Sequence, residues 1–143
     1  MPMLGESPGA TTAPVTVDLN TVGDTFIPIQ CASYIARRMT VFNASTTLAA
    51  SSATIGAYTA AAAGGTAIVT PATATGLTAA SKFNDRTIAA SADILTATAY
   101  TPTGGQTQYG LFVRVGIAHG SAATCKVVFE LEPLPASLTQ LAA

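Results

Sequence analysis

Three features of the sequence predict an all-β fold: a two-sheet antiparallel sandwich of jelly-roll or Greek-key type, with an extended N-terminal arm. First, two runs near the C-terminus alternate with a period of two. Leu111, Val113, Val115 and Ile117 mark one, and Cys125, Val127, Phe129 and Leu131 mark the other. Second, about eight or nine such short runs follow one another along the chain, separated by turn residues at the spacing of all-β proteins. Third, only 9% of residues are charged while 49% are hydrophobic, and Thr, Ser and Gly make up most of the rest. The length of 143 residues suits one domain with a real core.

In chain order, Met1 to Pro14 is rich in Pro, Gly, Thr and Ala without hydrophobic period, and reads as an extended arm. A single sandwich domain follows over 15–134, and residues 135–143 form a Pro-limited tail. Val15 to Leu19 alternates as an edge strand does. Thr25 to Ile29 is a second strand, edged by Pro28. Tyr34 to Asn43 is stronger: Ile35, Met39 and Val41 share one face, and Tyr34, Ala36, Arg38, Thr40 and Phe42 the other. Arg37 then falls on the apolar face, where it either snorkels to the rim or pairs with a carboxylate such as Asp85 or Asp18. Asn43-Ala44-Ser45 matches a glycosylation acceptor but reads as a turn.

Ile55 to Thr59 and Thr66 to Thr70 flank an alanine run and Gly64-Gly65. The Gly pair and the β-branched residues favour strand, loop, strand over helix. Leu77 to Phe83 holds one helical turn capped by Thr78, running into a strand over 83–88, and Ile94 to Ala99 is a weaker strand. Tyr109 to Glu132 reads as a β-hairpin, with Ala118 to Ala123 as a connector of ordinary length. A lone hairpin is not stable in water, so its apolar side requires a second sheet. Its other side carries Phe112, Arg114, Lys126, Val128 and Glu130, a mixed face suited to a subunit contact or a partly covered sheet.

Charge and chemistry exclude several functions. The net charge is −1, with no basic stripe to release counterions, so no nucleic-acid partner is expected. No run approaches the roughly 18 apolar residues of a membrane helix, so no membrane partner is expected. Met1 to Glu6 lacks the basic and apolar regions of a signal peptide, which points to synthesis in a cytoplasm. So apolar a surface is expected to be covered by copies of the chain or by a partner.

His119, the only histidine, lies in the Gly/Ala-rich connector and reads as an exposed loop residue rather than a general base. Cys31 and Cys125 are distant in sequence. A disulfide is open to them, but buried thiols are the simpler reading in a reducing compartment. Closely spaced metal ligands are lacking, and Gly64-Gly65 and Gly104-Gly105 match no phosphate-binding fingerprint. Glu130 and Glu132 read as surface charge, and Asp85 and Arg86 as structural ion-pair partners. The expectation is a protein with no enzymatic activity, cofactor or metal.

Several stretches together resemble small structural proteins of tailed bacteriophages, in particular capsid decoration (cement) proteins. They are Tyr34-x-x-Arg37-Arg38-x-x-Val41-x-Asn43-Ala44-Ser45, Tyr58-Thr59 with Gly64 to Val69, Lys82-Phe83-x-Asp85, and Leu111-x-Val113-Arg114-Val115-Gly116 continuing to Thr124. The likeness covers roughly Tyr34 to Phe129. It implies a β-sandwich that associates, often as a homotrimer, on the exterior of a capsid where major capsid protein subunits meet. The expected partners are then the major capsid protein and further copies of the chain. Met3, Leu4, Pro8, Thr12 and Pro14 of the arm, and His119 of the connector, are the expected contacts. A tail or fibre component of the virion shares this composition. A carbohydrate-binding sandwich is the alternative of a different class, opposed by the absence of Trp and by exposed aromatics limited to Tyr58, Tyr100 and Tyr109.

Overall fold

The computed structural model describes residues 10–101 and 104–134. They form two antiparallel sheets packed face to face, with no helix among the described residues. The strands are β1 (Ala10–Thr11), β2 (Val15–Asp18), β3 (Gly23–Ile29), β4 (Ser33–Phe42), β5 (Thr54–Ala60), β6 (Gly64–Thr73), β7 (Phe83–Arg86), β8 (Leu95–Thr96), β9 (Thr98–Tyr100), β10 (Gln108–Ile117) and β11 (Thr124–Pro133).

Sheet I is centred on β11 and β4. Strands β1 and β2 succeed each other along the free side of β11, and β7 and β8 along that of β4. Sheet II is centred on β10, with β3 on one side, β5 and β9 on the other, and β6 beyond β5. The strand, loop, strand expected around Gly64-Gly65 is the β5–β6 hairpin, which turns through left-handed Ala62, Ala63 and Gly65. The helical turn expected after Leu77 is instead a non-helical loop, closed by Lys82 N–H to Ala79 O and leading into β7.

The expected hairpin from Tyr109 to Glu132 does not form. Strand β10 lies in sheet II and β11 in sheet I, so the connector 118–123 crosses between sheets. Period two shows that one side of each strand is buried: Leu111, Val113 and Val115 join Cys125, Val127, Phe129 and Leu131 in one core, whereas Ile117, past a shift of register with β5, is 52% exposed. Strands facing each other across a core about 10 Å thick satisfy that pattern as well as paired ones do. The connector is held instead by the β2–β3 turn. His119 N–H donates to Leu19 O at 2.8 Å, Leu19 N–H to Ala123 O at 2.8 Å, and Gly120 N–H to Asn20 Oδ1 at 3.0 Å.

Strand β4 also departs from simple alternation. Tyr34 and Ala36 are buried, Arg37 and Arg38 are both exposed, and Met39 and Val41 are buried again. The register with β11 shifts at this point, from Arg38 opposite Glu130 to Ala36 opposite Leu131. This β-bulge leaves Arg37 as the extra residue and turns both guanidiniums outward. Arg37 therefore never enters the apolar face, and its partner is Glu132, at 2.5 Å, rather than Asp85 or Asp18.

Of the expected arm 1–14, the described part lies along sheet I. Ala10 and Thr11 pair with Leu131 and Glu130, Thr12 N–H donates to Phe129 O at 2.9 Å, and Phe129 N–H donates to Thr12 Oγ1 at 2.9 Å.

Gly110, at the middle of sheet II, is fixed by a close approach. A Cβ there would lie 2.1 Å from Ile27 O and 2.6 Å from the Phe26 ring. Gly110→Ala is expected to lower stability by roughly 3 kcal/mol, because the obstacle is backbone as well as ring; a urea midpoint close to that of the parent protein would contradict this packing.

Candidate functional site

The residues expected as contacts do not converge. Met3, Leu4 and Pro8 lie outside the described residues. Thr12 spends its hydroxyl and its backbone N–H on Phe129, so it anchors the chain to β11, and Pro14 is exposed between β1 and β2. His119 is half-buried rather than a free loop side chain, and its Nδ1 lies 2.7 Å from Ser51 Oγ.

A serine beside the only histidine invites a nucleophilic reading, which the geometry does not favour. In a catalytic triad the serine meets Nε2 while a carboxylate holds Nδ1. Here the serine occupies Nδ1, and no carboxylate hydrogen-bonds the ring among the described residues. Ser51 is buried, and its Oγ also accepts the Ala53 N–H at 3.0 Å. The Ser51–His119 pair ties the β4–β5 loop to the β10–β11 connector. Ser51→Ala is expected to cost about 1–2 kcal/mol. A double-mutant cycle with His119→Ala should return a coupling of about 1 kcal/mol, and additive losses would break the proposed tie.

Cys31 and Cys125 are free thiols. Burial pushes both up, Cys125 from 9.0 to about 11, against a smaller opposing effect of Arg86. Above pH 9 the unfolded chain surrenders the Cys125 proton while the folded chain keeps it. This contribution is complete below pH 9 and is lost as pH rises toward 11, by up to roughly 1.4 kcal/mol per unit. Urea midpoints across that window should fall more steeply for the parent protein than for Cys125→Ala.

Asp85 and Arg86, neighbours in sequence, part company in space. Asp85 points outward, accepts from Thr40 Oγ1 at 2.6 Å and lies 3.7 Å from Arg38 Nε. Arg86 points inward and is buried. Its Nη1 donates to Thr73 O at 2.9 Å, while Nε and Nη2 have no hydrogen-bond partner among the described residues. Burial lowers its pKa. Among the described residues no group of three or more His, Cys, Asp or Glu could hold a metal ion.

The two outer sheet faces are broad surfaces open to another molecule. The mixed face expected on one hairpin is divided between them: Phe112 and Arg114 lie on sheet II, and Lys126, Val128 and Glu130 on sheet I. On sheet II, Phe26, Phe112 and Tyr100 form a ring cluster with centroids 4.8, 5.3 and 5.8 Å apart, beside the Arg114–Asp24 pair at 3.1 Å. The sequence predicts no such cluster; the register of β3 with β10 sets Phe26 opposite Phe112. The rings pack on one another and Phe112 is only 4% exposed, so the cluster is a small outer core rather than an open stacking platform.

Sheet I presents the richer face. Its register sets three rows: Lys126, Phe42 and Phe83; then Val128, Thr40 and Asp85; then Glu130 and Arg38. A groove of about 500 Å³ crosses these rows from Thr11 to the 80–83 loop. Phe83 is 66% exposed in it. Counting Arg37, Glu132 and Lys82, seven of the thirteen charged residues (six basic plus seven acidic) gather here. Arg38 is shared between Glu130 at 3.2 Å and Asp85 at 3.7 Å, whereas Lys82 and Lys126 have no ion-pair partner among the described residues.

No protein-family model matches the chain, and neither a curated protein nor a solved structure matches it.

Proposed function

We propose that this is a structural virion protein that sits on the outside of a phage capsid and stabilises it by bridging major capsid protein subunits. The observation that carries the reading is the strand order. Taking the eight principal strands in sequence (β2, β3, β4, β5, β6, β7, β10, β11) as one to eight, sheet I runs 1-8-3-6 and sheet II runs 2-7-4-5. We read this as the double Greek key of a jelly roll, an architecture that viral capsid and lectin domains use. The motifs that resemble decoration proteins point the same way, as does an outer face that combines apolar and charged side chains.

Within this reading the sandwich acts as a rigid block, and its outer surfaces do the work. Each contact between block and shell is modest; symmetric repetition over many copies multiplies it. The lectin-like alternative has the sheet II rings in its favour, but those rings are engaged with one another.

Imaging of intact particles tests the proposal. Density for the sandwich is expected on the capsid exterior at subunit junctions, and particles stripped of it should open at lower temperature. Density on the tail, or particles without the protein, would refute it.

A further inference from the structure

We propose that the tip of the β5–β6 hairpin, residues 59–65, is a flap that opens from the outer face of sheet II while the sandwich stays folded, and that Asp24 holds it shut. The inference does not depend on the capsid reading.

The tip has left the sheet to which its strands belong. Pairing of β5 with β10 ends at Tyr58 opposite Phe112, and beyond that point Gly110, Tyr109 and Gln108 pair with β9 instead. Register shifts against β6 around Ala57, Tyr58 and Ala60 bend the hairpin at the same place. Asp24 lies on the far side of β10 from β5, in the row Asp24, Arg114, Gly56. Ala62 N–H nevertheless donates to Asp24 Oδ2 at 2.8 Å. The tip therefore folds back across β10 and lies over the Asp24–Arg114 pair.

The backbone of the tip is strained. Gly64 N–H donates to Ala61 O at 3.0 Å, closing a turn whose central residues, Ala62 and Ala63, have φ values of 57° and 60°. Two positive values make a type I′ turn, which Asn-Gly ordinarily fills. Both alanines are penalised there, because Cβ crowds the neighbouring carbonyl, and opening the turn releases them.

Little besides polar contacts opposes that release. No residue from Tyr58 to Ala67 belongs to the core, and Ala61, Ala62 and Ala63 are exposed. At the base of the flap Thr98 Oγ1 donates to Thr59 O, and Thr66 N–H donates to Thr59 Oγ1 at 2.8 Å. At its end the fastening is Asp24, whose carboxylate accepts from Ala62 while Arg114 holds it from the other side at 3.1 Å. A segment so placed opens at the low end of the stability range, ahead of the strands beneath it. Opening uncovers Asp24 and Arg114, only 20% and 27% exposed when the flap is shut, beside Phe112 and Tyr58. The outer face of sheet II thus has two forms, and the open one presents an ion pair flanked by rings.

Native-state hydrogen exchange of the full chain, followed by NMR at a series of low urea concentrations, tests the flap. Protection factors of Ala62 and Gly64 should lie about 100-fold or more below that of Val113 in the core, and should barely change with urea, whereas that of Val113 should fall as urea rises. Asp24→Ala should lower the protection of Gly64 by about tenfold relative to Val113 in the same variant, which separates loss of the latch from general destabilisation. Ala62→Asn combined with Ala63→Gly should raise it by about tenfold, because the turn is then filled by the residues it favours. Tip amides that share the protection and urea dependence of Val113 would show that the tip opens only when the whole molecule unfolds, and would overturn the proposal. So would an Asn-Gly turn that leaves Gly64 unchanged, or an Asp24→Ala variant in which Gly64 follows Val113.

Discussion

Everything in this molecule depends on the burial of two sheet faces against each other. Each sheet alone would expose a continuous apolar side, and the strands leave one sheet for the other at most connections, so neither sheet is complete without the other. Strands β10 and β11 make the dependence plain. They are neighbours in sequence, share the same alternation, and contribute to the same core from opposite sides. The loops at the ends of the sandwich therefore hold the sheets together and cannot be regarded as passive links. Hydrogen bonds such as Ser51–His119 and Leu19–Ala123 fasten one crossing to another.

The same constraint explains where the polar groups went. A core sealed by small and aliphatic side chains has little room for charge, and the sequence supplies few charged residues to begin with. Most of those lie on one outer face, where β4, β7 and β11 run side by side. On the opposite outer face Phe26, Tyr100 and Phe112 pack on one another, and the missing side chain of Gly110 lets β3 and the Phe26 ring approach β10. The two outer faces thus differ in kind: one is filled by its own rings, and the other carries ionic groups that its own chain leaves only partly matched.

Much of the fold was legible in the sequence because alternation is a local signal. Edge strands β2 and β3, the β5–β6 hairpin and the buried sides of β10 and β11 all follow from it. Strand partnership is not local. Nothing between Ile117 and Thr124 distinguishes a hairpin turn from a crossing between sheets, since both need only a short run of small residues. The bulge at Arg37 was hidden for a related reason: two arginines in a row are incompatible with strict alternation, and a sequence read with fixed period must bury one of them. The adjacent charges were themselves the signal for a bulge. The outer face of sheet I went unassembled because its residues lie tens of positions apart, at 38–42, 82–85 and 126–130, and only the register brings them together.

That bulge also decides what sheet I can offer to the outside. Had β4 kept its alternation through residue 37, the strand's later residues would have changed sides, sending Met39 and Val41 outward and Thr40 and Phe42 into the core. Inserting one residue restores the phase beyond it, at the cost of a local break in pairing with β11. Both arginines are then presented on the surface, each within reach of a β11 glutamate, and Phe42 is placed beside Phe83. A single irregularity in one strand therefore keeps the interior apolar and assembles the most chemically varied surface of the protein. The sheet I face is in this sense a by-product of protecting the core.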